Sequence, residues 1–371
     1  MVMATPLLEV LKKGDPDIYL GFLAEKGHGQ VLKGHPFLDH LHLLEFKGRG
    51  AGAQARAAAA SDHLLRALSP MEMLSDLRGA GYDLAVDLFF NPRSAWLLGL
   101  SGIPKRISGT AGSRRFLYSH NVIPSLNPAR FQELFYAAPG GMGEHLARLA
   151  PLFHVESGLD FVSWVLQQYP GKNLGPFLPR AYWASQVPQF VPGFEKYISD
   201  HPIILAPGAT WNSKEWPFCH WEKLIEDLLK QSSKPILVIQ PPGSGTSWGD
   251  LGLKIPSSRG GVLPVLNLET VFGLLSQAAM LVSVDGGVMH TGVGLGVPTI
   301  GLFGPTDPNL WFPYANAGPF RVMTSRAHCA PCNLHQCDKF ICLPDLKPDR
   351  VLARCLEMLS DGAANSLNKW E

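Results

Sequence analysis

Residues 282–290 read Val-Ser-Val-Asp-Gly-Gly-Val-Met-His. An apolar run gives way to an acid, then to two glycines, then to residues that suit a helix. That order predicts a strand, a tight turn and a helix start. Backbone N–H groups at a helix N-terminus lack intrahelical partners, and the helix dipole adds partial positive charge there. Such a turn is suited to an anion. Gly286 and Gly287 would let the backbone approach a phosphate closely. Asp285 ends the strand, and His290 falls in the first helical turn, near that anion. An ordinary strand-to-helix turn, capped by Asp285 and with His290 satisfied locally, would use the same residues.

A second stretch, Pro207-Gly208-Ala209-Thr210-Trp211-Asn212-Ser213-Lys214-Glu215-Trp216-Pro217, also follows an apolar run and precedes a helix pattern. It offers a glycine turn, the Thr210 hydroxyl and the Lys214 ammonium. Those groups can hold a diphosphate and neutralise it as it leaves. The competing reading is a surface loop with a solvated lysine. A third stretch, Gly301-Leu302-Phe303-Gly304-Pro305-Thr306-Asp307-Pro308, places Thr306 and backbone amides at another strand end, or is simply a turn bounded by prolines. Two anion-competent turns at equivalent strand ends make coincidence the weaker explanation.

The elements that must carry these turns are legible in outline. Ile18–Leu23 and Leu84–Phe90 read as strands, and the Ala- and Leu-rich segment 51–77 between them reads as helix. Ile203–Ala206, Pro235–Ile239, Met280–Val284 and Thr299–Phe303 read as further strands. Trp221, Leu224, Ile225, Leu228 and Leu229 recur at helical spacing, and Pro348 opens a last helix through Val351, Leu352, Cys355 and Leu359. The small residues of Gly286–Gly296 suit close packing of a helix on a sheet. Strands alternating with helices predict α/β architecture with parallel sheets. Five prolines between 170 and 192 mark a linker. The expected division is a first domain over 1–175, a linker over 176–200, a second domain over 201–345, and a helix with its tail over 346–371.

Composition agrees with two domains. The 371 residues are 46% hydrophobic and 17% charged, and the formal net charge is +1, which gives no reason to expect a nucleic-acid partner. The pairs Lys105-Arg106 and Arg114-Arg115 read as solvated surface or as contacts for a phosphate-rich acceptor. No run approaches the roughly 18 apolar residues needed to span a bilayer, and no signal peptide is visible, so the expected location is the cytoplasm.

Cys329, Cys332, Cys337 and Cys342 form C-x2-C-x4-C-x4-C; Cys219 and Cys355 stand apart. Four thiolates can ligate a metal, but this spacing is not the usual pair of C-x2-C knuckles. Reduced structural thiols or an opportunistic disulfide are expected instead, with no metal and no cofactor.

Taken in order, P-G-x-x-x-x-x-K-x-W-P, D-G-G-x-x-H with G-x-G-x-P after it, and F-G-P-T-D-P resemble glycosyltransferase family 9, the ADP-heptose:lipopolysaccharide heptosyltransferases. Ala4-Thr5-Pro6-Leu7-Leu8, Tyr82 to Leu88 and Arg106-Ile107-Ser108 are similar to that family's N-terminal landmarks. The resemblance implies a GT-B fold: two Rossmann-like domains facing across a cleft, with a last helix that often crosses back to the first. It implies inverting, metal-independent transfer of a heptose from ADP-heptose or a related nucleotide-sugar to the lipopolysaccharide inner core. Thr210 and Lys214 would contact the diphosphate, and Asp285, Gly286, Gly287, His290 and Thr306 would shape the donor site. Peripheral contact with the inner face of the inner membrane belongs to the same expectation.

The chain departs from the family pattern in three places. The opening strand and its Gly-Asp loop are not found ahead of Thr5-Pro6. The resemblance therefore places the aspartate base before Met1, read as an internal methionine. Asp87 is the candidate base inside the chain, with a structural role as its alternative. Gly286 stands where relatives often carry a hydroxyl residue, and Pro241-Pro242-Gly243-Ser244-Gly245 supplies no acid for a ribose. Rival readings are a GT-B enzyme for another nucleotide-sugar, a sugar-nucleotide epimerase, and a catalytically silent GT-B-like binding protein. A NAD-dependent dehydrogenase is more distant, since no G-x-G-x-x-G follows an early strand.

Overall fold

A computed structural model describes residues 5–14, 16–45, 67–87, 92–109, 112–122, 191–241, 247–312 and 318–365. These fall into two compact units, one carrying the described residues up to 122 and the other those from 191 onward. The expected linker at 176–200 lies outside the described residues as far as 190, and Glu195–Ser199 within it is helical.

The first unit begins with helix α1 (Thr5–Gly14) and strand β1 (Gly21–Glu25), a few residues later than the apolar run suggests. β1 pairs in parallel with β2 (His40–Leu44), from Gly21 opposite His40 to Glu25 opposite Leu44. Of the helix expected over 51–77, residues 51–66 lie outside the description, and α2 spans Pro70–Ala80. Its start is fixed by a reciprocal cap. The Ser69 amide donates to Glu72 at 2.8 Å, and the Glu72 amide donates back to the Ser69 hydroxyl at 3.4 Å. Gly81 ends it in the left-handed region, at φ 67°. Strand β3 (Leu84–Asp87), helix α3 (Pro92–Ser101), and strands β4 (Lys105–Gly109) and β5 (His120–Val122) follow, the three strands pairing in parallel in that order.

The second unit is built on a six-stranded parallel sheet. Its elements are β6 (Ile203–Ala206), α4 (Phe218–Gln231), β7 (Ile236–Val238), β8 (Gly260–Val262), α5 (Leu268–Ser276), β9 (Met280–Val284), α6 (Gly287–Gly294), β10 (Thr299–Phe303), β11 (Phe320–Thr324) and α7 (Pro348–Asn365). The strand order is β11-β10-β9-β6-β7-β8. The chain thus winds one way from β6 to β8, returns to the other side of β6, and winds outward to β11. That is the doubly wound Rossmann order. β6, β7, β9 and β10 are buried at every residue, as a sheet covered on both faces requires.

Each face of this sheet has its own core. On one, Trp221, Leu224, Ile225 and Leu228 of α4 meet Val351, Leu352, Cys355 and Met358 of α7 over Ile203, Leu205, Met280 and Val282. The described apolar face of α7 is therefore spent within this unit. On the other, Val271, Leu274 and Leu275 of α5 pack on Ile204, Leu237 and Leu281. α6 lies so near the sheet that a Cβ on Gly292 would fall 2.5 Å from Leu281 and 2.9 Å from the Thr299 hydroxyl. Glycine at that position is a packing requirement. Leu224 sits fully buried between helix and sheet. Leu224→Ala is expected to cost about 2–5 kcal/mol, read as a lowered urea midpoint of tryptophan fluorescence with the folded spectrum retained.

Candidate anion-binding site

Ligands of doubly wound sheets bind beyond the carboxyl ends of the strands, where the winding reverses. Here the reversal falls between β6 and β9, which are hydrogen-bonded neighbours. The loop after β6 holds residues 207–217, and the turn after β9 holds 285 and 286. The loop after β10, the next strand outward, holds Thr306. The topology therefore gathers all three stretches at one end of one sheet.

Their side chains meet at Asp285, which is 4% exposed. Lys214 Nζ lies 2.7 Å from Asp285 Oδ2, and the Thr306 hydroxyl donates to the same oxygen at 2.7 Å. An enclosed carboxylate needs such partners, because its charge is costly to remove from water. Thr306 is itself buried. Its hydroxyl proton is engaged by Asp285 and so helps to position the carboxylate. Lys214 keeps two of its three N–H donors beyond this pair. Its ammonium also lies 4.0 Å from the centre of the Trp211 ring, a cation–π contact.

Gly286 is extended (φ −174°, ψ −179°) and leads into α6, whose first residue, Gly287, is exposed. A Cβ on Gly287 would meet nothing within 4 Å. The helix N-terminus thus faces open space, as an anion site needs. The His290 amide closes the first turn on the Gly286 carbonyl at 3.4 Å, and the residue is partly buried. Thr210 is exposed on its loop. Asp87 is elsewhere: it ends β3 in the first unit, is buried, and accepts a 2.7 Å hydrogen bond from the Tyr118 hydroxyl. Of the stretch 241–245, in which no ribose acid was expected, residues 242–245 lie outside the described residues.

Further side chains fix these loops in place. Ser213 donates its hydroxyl to the Leu334 and His335 carbonyls, at 2.7 and 3.0 Å. The amides of Cys332 and Asn333 donate to the Pro305 carbonyl, at 2.9 and 2.7 Å. His335 stacks on Trp211 with ring centres 3.6 Å apart. The cysteine-bearing loop therefore clasps two of the three site loops. Trp216 anchors the first of them through its indole N–H, which donates to the Leu346 carbonyl at 2.8 Å. The cysteines are free thiols, and burial pushes the Cys342 thiol above its ordinary range and that of Cys355 up to about 12.

Glycosyltransferase family 9 (heptosyltransferase) is the family whose sequence profile matches, over residues 172–339. Lipopolysaccharide heptosyltransferase 1 of Pseudomonas aeruginosa is 29% identical over 174 residues, 42% of this chain and 48% of the relative. The chain thus spans about half the length of that relative. Lipopolysaccharide heptosyltransferase 3 of Escherichia coli is 21% identical, over 88% of this chain and 87% of its own. The solved Escherichia coli ADP-heptose lipopolysaccharide heptosyltransferase II superposes with a TM-score of 0.67 at 20% identity, covering 98% of this chain and 96% of that one. The fold is accordingly GT-B.

Thr306→Val keeps the shape of the side chain and removes the proton held by Asp285. Hydrogen bonds to charged groups contribute about 1.5–3 kcal/mol, so a loss of that size is expected in chemical denaturation. An unchanged midpoint would show that the carboxylate does not depend on this bond.

Proposed function

We propose that the chain is a member of glycosyltransferase family 9 and transfers a heptose from ADP-heptose to the inner core of lipopolysaccharide, with inversion at the anomeric carbon. The observation that carries this reading is the Lys214–Asp285–Thr306 cluster beside the open N-terminus of α6. The family relatives named as lipopolysaccharide heptosyltransferases support the choice of sugar and acceptor.

In the reaction an acceptor hydroxyl attacks the anomeric carbon as the bond from that carbon to the diphosphate oxygen breaks. The acceptor proton is lost to a base, and ADP departs with the bonding electron pair. Charge therefore builds on the diphosphate. Lys214, held in place by Asp285, and the amides that open α6 are the groups that stabilise it. Thr210 and His290 stand at the margins of the same site. Asp285 is a positioning residue: it neutralises Lys214 in the empty site and fixes its ammonium, which lowers the entropy lost when the donor binds.

An acceptor anchored in a membrane calls for a membrane-facing surface. The first unit exposes Trp96, Leu100 and Phe116, with Trp96 edge-on to Phe116 at 6.0 Å and the exposed Arg115 next in sequence to Phe116. Aromatic side chains with cations between them suit the interfacial region of an anionic bilayer. Among the described residues no helix is long and apolar enough to cross a membrane. We place the protein's action at the cytoplasmic face of the inner membrane. Co-sedimentation with phosphatidylglycerol vesicles is expected, and Trp96→Ser/Phe116→Ser is expected to reduce it at least several-fold. Equal sedimentation of the variant would remove this surface from the proposal.

The donor assignment is tested by calorimetry with ADP-heptose and by sugar transfer to heptose-deficient core. Lys214→Ala removes one charge-assisted contact and leaves Asp285 uncompensated beside the diphosphate. A loss of about tenfold or more in donor affinity is expected. Lys214→Ala/Asp285→Asn removes both charges and should recover part of that loss. Unchanged affinity in Lys214→Ala would exclude the lysine from the site. Tighter binding of a different nucleotide-sugar would redirect the donor assignment.

A further inference from the structure

The first unit holds a second set of converging polar side chains, far along the strands from where β1 and β2 end. His40 and His42 lie two apart on β2, so both point to the same face, with ring centres 4.2 Å apart. Asp76 projects from α2 onto them. Its Oδ2 lies 2.6 Å from His42 Nδ1. One ligand atom from each of the three residues lies within 4.8 Å of the others. They line an open cavity of about 540 Å³ together with Tyr19, Glu72 and Ser75.

From this geometry we infer that His40, His42 and Asp76 bind a divalent transition-metal ion of the zinc class. Two imidazoles and one carboxylate suit zinc, iron(II) or cobalt(II), and would be a poor set for magnesium or calcium, which take oxygen ligands. The residues differ in readiness. His42 is buried and already held against Asp76. His40 is exposed and free to swing. Asp76 is half-exposed. Three protein ligands leave a further position open to the cavity, where water completes the shell.

The surrounding structure supports this role. His42 Nε2 lies 2.7 Å from the Tyr82 hydroxyl, the outer contact that typically orients a ligating histidine. Tyr82 can reach it because residue 21 is glycine: a Cβ there would overlap the Tyr82 hydroxyl. In its Nδ1–H tautomer, His42 donates to Asp76 and accepts from the Tyr82 hydroxyl. When a cation takes the Nδ1 lone pair, the imidazole proton moves to Nε2, and the Tyr82 hydroxyl turns to accept it. No proton need leave the site. The 2.6 Å separation must open to somewhat over 3 Å for two ligands at about 2.0–2.2 Å from one ion, a shift within reach of an aspartate rotamer. Glu72, one helical turn before Asp76, is engaged in capping α2 and is not assigned as a ligand. The site would join β2 to α2, a structural bond that the donor-binding unit does not supply.

The experiment is titration of the metal-free full chain with cobalt(II), read by visible absorption, and with zinc, read by calorimetry and by thermal melting. One equivalent is expected, with ligand-field bands but no thiolate-to-cobalt charge-transfer band, and with a raised melting temperature. His40→Ala, at an exposed position, should keep the fold and weaken binding at least tenfold; Asp76→Asn should do the same. Three results would overturn the inference. They are no binding by the wild-type chain, binding unchanged in His40→Ala, and a charge-transfer band assigning the ion to the cysteines.

Discussion

The second unit depends on one shared oxygen. Asp285 Oδ2 takes both the Lys214 ammonium and the Thr306 hydroxyl, so three loops that follow three different strands converge on a single atom. A buried carboxylate is a poor source of net stability, because desolvation offsets most of its attraction to the lysine. Its value lies in specification. Any loop arrangement that leaves the carboxylate without both partners is strongly disfavoured, so the loops have one arrangement. The sheet provides the other half of the constraint. It brings β6 and β9 side by side at the reversal of winding and buries both completely, leaving their following turns little room to drift.

This arrangement suits two demands of the proposed anion site. It must carry positive charge when occupied, yet an isolated ammonium in a largely enclosed place is costly when empty. Pairing Lys214 with Asp285 meets the second demand, and the two remaining N–H donors with the amides of α6 meet the first. The first unit shows the same economy in Asp87, whose carboxylate is occupied by Tyr118.

Most of the second unit was legible in the sequence, because its strands are continuous apolar runs and α4 and α7 carry a clean helical stripe. β6, β9 and β10 begin and end where those runs do. β8 and β11 escaped notice: Gly260-Gly261-Val262 is too short and too glycine-rich to signal a strand, and Phe320–Thr324 carries an arginine. β2 was hidden by its two histidines, and β4 and β5 by polar residues at sheet positions. The stretches that bear Lys214, Asp285, Gly286, Gly287 and Thr306 were legible, since turn glycines and strand ends are local features. The partnership between Lys214, Asp285 and Thr306 was not legible, because it is a tertiary fact. Neither was the clasp by residues 332–335, whose acceptors are backbone carbonyls without a sequence signature.

That clasp has a kinetic consequence. Ser213 bonds to residues 121 and 122 positions later in the chain, and Trp216 to one 130 positions later. Contacts of such separation close large loops and so form late relative to local ones. During synthesis β6 and the loop carrying Lys214 emerge well before the segment that fixes that loop. The nascent second unit can therefore collapse around β6, β7 and α4 while the loop that will meet the ligand is still unanchored. The loop is anchored only when residues 334–346 are in place, so the ribosome releases a protein whose scaffold is older than the loop it carries.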